Sequence, residues 1–120
     1  MATVVRRLIS PHFPYVPPSL VLGTIALALD ALLDTGFDGA IILPVALVSP
    51  GVAPIGEQVW YLADGSPIKA PIHRAAVALG HLGTFPVTVT AIGEEALVGR
   101  RLINNFRIIL DFGRRVIVER

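Results

Sequence analysis

Glycine and proline interrupt this chain at short intervals, and this limits the length of any regular element. The 120 residues include 11 Gly and 10 Pro. Short apolar runs lie between them, at residues 20–22, 40–43, 74–79, 85–92, 107–110 and 116–118. Many short strands separated by turn residues are typical of an all-β barrel or sandwich. We therefore predict an all-β fold in a single domain that spans residues 1–120.

Two segments leave the secondary structure open. Residues 25–33 are rich in Ala and Leu, which suits a helix by propensity, but their alternation also suits a strand. Residues 94–106 form the best helix candidate, although Gly99 weakens it. Asp64-Gly65 and Gly113 mark two hairpins, and Asp-Gly is a signal for a primed turn.

The composition is unusually apolar for a short soluble chain. Hydrophobic residues make up 53% and charged residues 16%, whereas an average domain carries about 25% charged residues. The excess predicts either an oligomer interface or a membrane segment. Residues 15–33 contain a single charge, Asp30, but Pro17, Pro18 and Gly23 oppose a spanning helix. We therefore expect a soluble, cytoplasmic oligomer that does not enter a membrane.

Charge and residue types exclude several other functions. The net charge is +1, so the chain as a whole does not attract nucleic acid, although six arginines cluster after residue 99. The chain has no cysteine, and His12, His73 and His81 lack the spacing of metal ligands. No glycine-rich phosphate loop is present. We predict no metal and no cofactor.

One short motif can carry catalysis. Asp34-Thr35-Gly36 follows an apolar run and precedes a second one at residues 40–44. Taken alone, Asp34 could equally be a turn residue that caps its own backbone. The order that follows is more specific: a hairpin at residues 63–66, then Ala-Leu-Val-Gly-Arg at 96–100, leading into a short helix. In this order the chain resembles the retropepsin-like aspartic proteases, particularly the small single-domain bacterial type, over roughly residues 19–119.

The resemblance implies an acid-protease barrel with one short helix and a mechanism that needs two carboxylates. Two carboxyl groups about 3 Å apart share one proton, so that one activates water and the other protonates the scissile carbonyl. This chain carries the motif once. Asp30 would lie about 13 Å from Asp34 along a strand, which is too far to share a proton. The resemblance therefore implies an aspartic endopeptidase that acts on polypeptides as a C2 homodimer, with two copies of Asp34 at the axis.

The resemblance also assigns roles to the neighbouring residues. Thr35 would hydrogen-bond across the axis, and Gly36 would allow substrate to approach the backbone. Asp38 and Arg100 occupy positions that often form an ion pair supporting the loop, with Gly99 beside them. The flap that would close over substrate comprises Trp60, Tyr61, Leu62, Ala63, Asp64, Gly65 and Ser66.

Two features depart from the family pattern. Phe37 replaces the usual Ala or Ser after the triplet, from which we expect a raised pKa of the dyad and a less acidic pH optimum. Residues 1–18 extend the chain before the first matched strand and are expected in the dimer interface. These departures keep a second interpretation open, that of an inactive dimeric scaffold or peptide-binding module. A weaker third interpretation is a nucleic-acid-binding β-domain that uses the late arginines.

Overall fold

The computed structural model describes residues 4–48 and 51–120 and confirms the all-β prediction. The strands are β1 (Arg7–Ser10), β2 (Tyr15–Val16), β3 (Ser19–Leu22), β4 (Ile25–Ala28), β5 (Ala31–Leu33), β6 (Ile41–Leu43), β7 (Gly56–Tyr61), β8 (Pro67–Ala78), β9 (Thr84–Ala91), β10 (Leu97–Val98), β11 (Arg107–Asp111) and β12 (Arg115–Glu119). Within these described ranges, one short α-helix, α1, comprises Arg100–Ile103, and two single 3₁₀ turns cover Val45–Leu47 and Gly80–Leu82.

Two sheets enclose one core. The larger sheet runs in the order β2-β5-β10-β6-β9-β8-β3-β4, with β7 paired to β8, and the smaller sheet is β1-β12-β11. Val116 and Val118 of the small sheet are fully buried in the same cluster as Leu20, Ile41 and Val89 of the large one. The first and last strands of the chain thus pair within one protomer, and residues 7–16, expected as an extension, supply β1 and β2.

The ambiguous Ala/Leu-rich segment forms strands. It divides into β4 and β5, with Leu29 and Asp30 between them. Leu29 and Ala31 are buried while Ala28 and Asp30 are exposed, which is the alternation of a strand. The Oδ2 atom of Asp30 lies 2.5 Å from the Nδ1 atom of His12. Within the described part of the chain, no helix is long and apolar enough to cross a membrane.

The long helix suggested over residues 94–106 is wrong, because only four of these residues are α-helical. Leu97 and Val98 instead form β10, which pairs in parallel with β5 and antiparallel with β6. Strand pairing on both sides satisfies the backbone groups of this segment, and Gly99 is extended, with φ −103° and ψ −177°. The helix therefore begins only at Arg100. This agrees with the short helix that the family resemblance implied.

Both predicted hairpins form, but the first does not have the primed turn. Its loop between β7 and β8 is closed by a bond from the Gly65 N–H to the Leu62 carbonyl, 2.9 Å. Gly65 has a φ of +84°, whereas Asp64 is not in the left-handed region that a type I′ turn requires. The loop follows the pattern with a glycine in the last of three loop positions. In the second hairpin, Phe112 and Gly113 both have positive φ.

Candidate active site

Asp34 lies at the end of β5, where the chain leaves the sheet. Its N–H donates to the Val98 carbonyl at 2.9 Å, so strand β10 holds the residue in place from one side. Its Oδ1 atom accepts a hydrogen bond from the Gly36 N–H at 2.9 Å, and its carbonyl accepts one from the Phe37 N–H at 3.2 Å. The carboxylate therefore has a fixed orientation, set by the turn that follows it.

The tip of this turn is open to solvent. Thr35 and Gly36 are exposed, and Asp34 is partly exposed. A Cβ atom on Gly36 would lie 3.2 Å from the Asp34 Oδ1 atom, so a larger residue here would crowd the carboxylate. The three residues of the motif thus form a surface that a second molecule could reach.

Backbone groups clamp the turn against the segment that begins α1. The N–H groups of Gly99, Arg100 and Arg101 donate to the carbonyls of Ala40, Phe37 and Gly39, at 2.8, 2.9 and 3.1 Å respectively. The two segments approach so closely that a Cβ atom on Gly99 would overlap the Gly39 carbonyl oxygen. Glycine is required at position 99 for this steric reason rather than for a special backbone angle.

The ion pair expected between Asp38 and Arg100 is not formed. Within residues 4–48 and 51–120, the ion pairs are Arg7–Glu119, His12–Asp30, Arg107–Glu119 and Arg115–Asp111. Asp38 and Arg100 are both exposed and border the same cavity. The backbone bonds of the clamp fix the two segments, so a side-chain ion pair is not needed for that purpose.

Phe37 is buried beneath the loop. Its side chain fills the space left by the two glycines, since a Cβ atom on either Gly39 or Gly99 would overlap its ring. The ring also packs against Trp60 of β7, with centroids 4.9 Å apart and planes inclined by 59°. The indole Nε1 of Trp60 is buried and has no hydrogen-bond partner among the described residues. Phe37 therefore connects the Asp34 turn to β7, the first strand of the β7–β8 hairpin.

A cavity of about 370 Å³ opens in front of Asp34. It brings together several residues that the sequence singled out, and its lining is Asp34, Gly36, Phe37, Asp38, Ile42, Trp60, Tyr61, Leu62, Ile92 and Arg100. Ile42 and Ile92 were not predicted as site residues. Nothing in the sequence marks Ile42 as a site residue, because it is one of several apolar residues in the same strand.

The remaining candidate residues lie away from this lining. Thr35 is exposed at the tip of the turn and Gly99 packs against it, whereas Ala63, Asp64, Gly65 and Ser66 form the end of the β7–β8 hairpin. Hydrogen bonds from the Ser66 side chain and backbone lower the pKa of the Asp64 carboxyl below its usual 3.8. Ser66 therefore stabilises the ionised form of the Asp64 side chain at the tip of the hairpin.

The histidines do not form a metal site. Within the described ranges there is no group of three or more His, Cys, Asp and Glu side chains placed to hold a metal ion. His12 stacks on Tyr15 and contacts Asp30, while His73 is buried in β8 and His81 is exposed. These positions agree with packing and surface roles.

The topology and the clamped turn define a class. The parallel pairing of β10 with β5, its antiparallel pairing with β6 and the hairpin of β7 and β8 together make the retropepsin-like fold. A solved structure, described as a retropepsin-like aspartic protease from Rickettsia conorii, has this fold. It superposes with a TM-score of 0.62 at 16% sequence identity, over 99% of this chain and 94% of the other. No family model matches the sequence, and no curated protein sequence matches it.

Proposed function

We propose that the protein is an aspartic endopeptidase that acts as a homodimer, with Asp34 from each protomer forming the catalytic pair. The observation that carries the proposal is the Asp34 turn itself. Its carboxylate is oriented by Gly36 and its backbone by Val98, at the wall of a cavity bordered by the flap strand. A solved protein of the same fold is described as an aspartic protease, which supports this assignment.

The chemistry follows from two carboxyl groups brought close together. Because two like charges about 3 Å apart cannot both persist, the pair shares one proton. The ionised Asp34 takes a proton from a water molecule as its oxygen attacks the peptide carbonyl carbon. The protonated Asp34 of the second protomer donates its proton to the carbonyl oxygen. The tetrahedral intermediate then expels the amine, which takes up a proton, and no covalent bond to the enzyme forms.

The surface supports an association of two chains. The turn tip at Thr35 and Gly36 is exposed, so the carboxylates of two copies could meet. Large apolar side chains are also exposed, and Phe112 and Val4 are 92% and 81% accessible. These residues account for part of the apolar excess of the composition. An interface between copies would remove some of this surface from water, which favours association.

The β7–β8 hairpin would serve as the flap, a lid over a bound peptide. Trp60, Tyr61 and Leu62 come to the cavity in front of Asp34, and Tyr61 is 75% exposed. An extended peptide between the flap and the carboxylates would exclude water from the reacting bond. We propose that these three residues contact the substrate on each side of the bond that is cut.

The test is cleavage of a mixed peptide library from acidic to neutral pH by the wild type, Asp34→Asn and Asp38→Asn. We expect Asp34→Asn to reduce cleavage by at least about a hundredfold, because the general base is lost. Asp38→Asn is the matched control, since it removes the other carboxylate of the cavity and should retain cleavage. Light scattering on the same samples reports the oligomeric state.

Two outcomes would refute the proposal. If Asp38→Asn loses all cleavage while the wild type cuts peptides as a strict monomer, the carboxyl pair lies within one chain. No cleavage by a folded wild-type dimer at any pH would favour the inactive peptide-binding module, in which Phe37 fills the space beneath the loop.

A further inference from the structure

A second cavity adjoins the site and is larger than the one in front of Asp34. It has a volume of about 760 Å³, within the range of roughly 300–1,000 Å³ that ligand pockets occupy. We call it the side cavity. The residues that matter for its chemistry are Asp38, Gln58, Trp60, Arg74, Thr88 and Arg101. Asp38 and Trp60 also border the cavity in front of Asp34, so the two spaces are neighbours.

Strand alternation produces the side cavity. In the long strand β8, His73 and Ala75 face the core, so Ile72 and Arg74 face the opposite side. The pairing of β8 with β9 places Thr88 beside Arg74 and Thr90 beside Ile72, which extends the same face across two strands. Trp60 closes one end, from β7. These are regular strands, so the surface has a defined shape in the free protein.

Hydrogen-bond donors are in excess in this cavity. Arg74 and Arg101 are exposed, and no described residue forms a hydrogen bond or an ion pair with either guanidinium group. By contrast, Arg7, Arg115 and Arg120 each have a partner for their guanidinium. The lining has two positive charges and one negative charge, that of Asp38. A ligand that fits this surface must therefore supply acceptor oxygens and negative charge.

We propose that the side cavity binds an acidic side chain of the polypeptide substrate, a few residues from the bond that is cut. The two arginines would hold its carboxylate, because a guanidinium group presents paired N–H donors that match two carboxylate oxygens. An extended peptide lying in front of Asp34 continues past Asp38 and Trp60 into this space. The inference rests on the proposed function for the identity of the ligand, and it makes Arg74 and Arg101 specificity-determining residues.

Trp60 allows binding to be measured without cleavage. It is the only tryptophan of the chain and borders both cavities, so its fluorescence reports occupancy. The experiment titrates Asp34→Asn with two peptides that are identical except for Glu or Gln at the position under test, scanned along the peptide. We expect the Glu peptide to bind about tenfold more tightly at one position, and this preference to weaken with added salt.

Charge removal identifies the residues responsible. In the Asp34→Asn background, Arg74→Gln and Arg101→Gln should each reduce the preference for Glu to near one. Arg114→Gln is the matched control, because it removes an exposed arginine from the β11–β12 turn, away from the side cavity. Circular dichroism verifies that each variant is folded. Equal binding of the two peptides at every position, or a preference that survives both cavity variants, would overturn the inference.

Cleavage by the enzyme with Asp34 intact separates this inference from the proposed function. If peptides are cut, the kcat/KM ratio for the Glu and Gln peptides should follow the binding preference and disappear in Arg74→Gln. If no peptide is cut but the preference for Glu persists in binding, the inference about the side cavity is supported and the proposed protease function is refuted. Cleavage without any preference for Glu would refute the side cavity alone.

Discussion

Replacing Gly39 with alanine tests the steric fit of the Asp34 turn. A Cβ atom at position 39 would overlap the Cζ atom of Phe37 and lie 2.9 Å from its Cε1 atom. The three nearest atoms all belong to this one side chain. Phe37 is only 7% exposed and packs against Trp60, so its ring has little room to move. The substitution should therefore destabilise the fold by overpacking.

The magnitude follows from two opposing contributions. Overpacking of a tight site costs about 1–3 kcal/mol of stability. Replacement of glycine by alanine stabilises the fold by about 0.4–1 kcal/mol, because it lowers the conformational entropy of the unfolded chain. We expect Gly39→Ala to lower the free energy of unfolding by roughly 1–2 kcal/mol, the difference between these two contributions. Phe37→Leu removes the ring atoms that the new methyl group would meet, and alone it should cost roughly 1–2 kcal/mol. The double variant should cost about as much as Phe37→Leu alone, which gives a coupling of roughly 1–2 kcal/mol, equal to the cost of Gly39→Ala alone.

Urea denaturation followed by circular dichroism measures the four free energies of unfolding of this cycle. Gly99→Ala is the contrasting variant, because its Cβ atom would meet the carbonyl oxygens of Gly39 and Phe37 as well as the ring. It should cost at least about 3 kcal/mol, with no recovery from Phe37→Leu, since backbone cannot be trimmed. If Gly39→Ala and Phe37→Leu are additive to within about 0.5 kcal/mol, the packing argument is refuted.

Three further substitutions test other parts of the structure. Ser66→Ala should raise the pKa of Asp64 toward 3.8, as measured by carboxyl NMR. A pKa that is lowered in the folded state stabilises the fold at a pH above the unfolded pKa. The wild-type hairpin should therefore lose this stabilisation as the pH falls through the folded pKa. Glu119→Gln should destabilise the protein by about 1 kcal/mol in thermal denaturation, because the buried carboxylate between Arg7 and Arg107 loses its charge. If this loss of stability disappears in high salt, burial is not its cause. Phe112→Asn should raise stability by up to about 1 kcal/mol, because Phe112 is 92% exposed with a φ of +51°, which Asn tolerates better; a destabilised variant would show that the ring packs after all.

Much of the fold could be predicted because its signals are local. The apolar runs that form β8 and β9 and the glycines of the two hairpins are properties of neighbouring residues, whereas the short helix at Arg100 was implied by the family resemblance. The helix suggested over residues 94–106 failed for a reason that is not local. Leu97 and Val98 pair with β5 and β6, which are distant in sequence, and this pairing overrides the helical preference.

The contacts within the candidate site could not be predicted from the sequence. Asp34, Gly36 and Trp60 were singled out in the sequence and border one cavity, whereas Thr35 lies outside its lining. The side chain of Phe37 fills the space beneath Gly39 and Gly99 and packs against Trp60. No sequence pattern indicates this fit, because it depends on the crossing of two loops more than sixty residues apart.

The support of the Asp34 turn explains why its sequence requirements are narrow. Three backbone hydrogen bonds and the absence of side chains at Gly39 and Gly99 hold the loops together. Backbone bonds form with almost any residue, so only positions with steric limits must be kept. Asp38 and Arg100, which form no ion pair within the described residues, are then available to the cavity in front of Asp34. This chain can therefore share its fold with a solved structure at only 16% sequence identity.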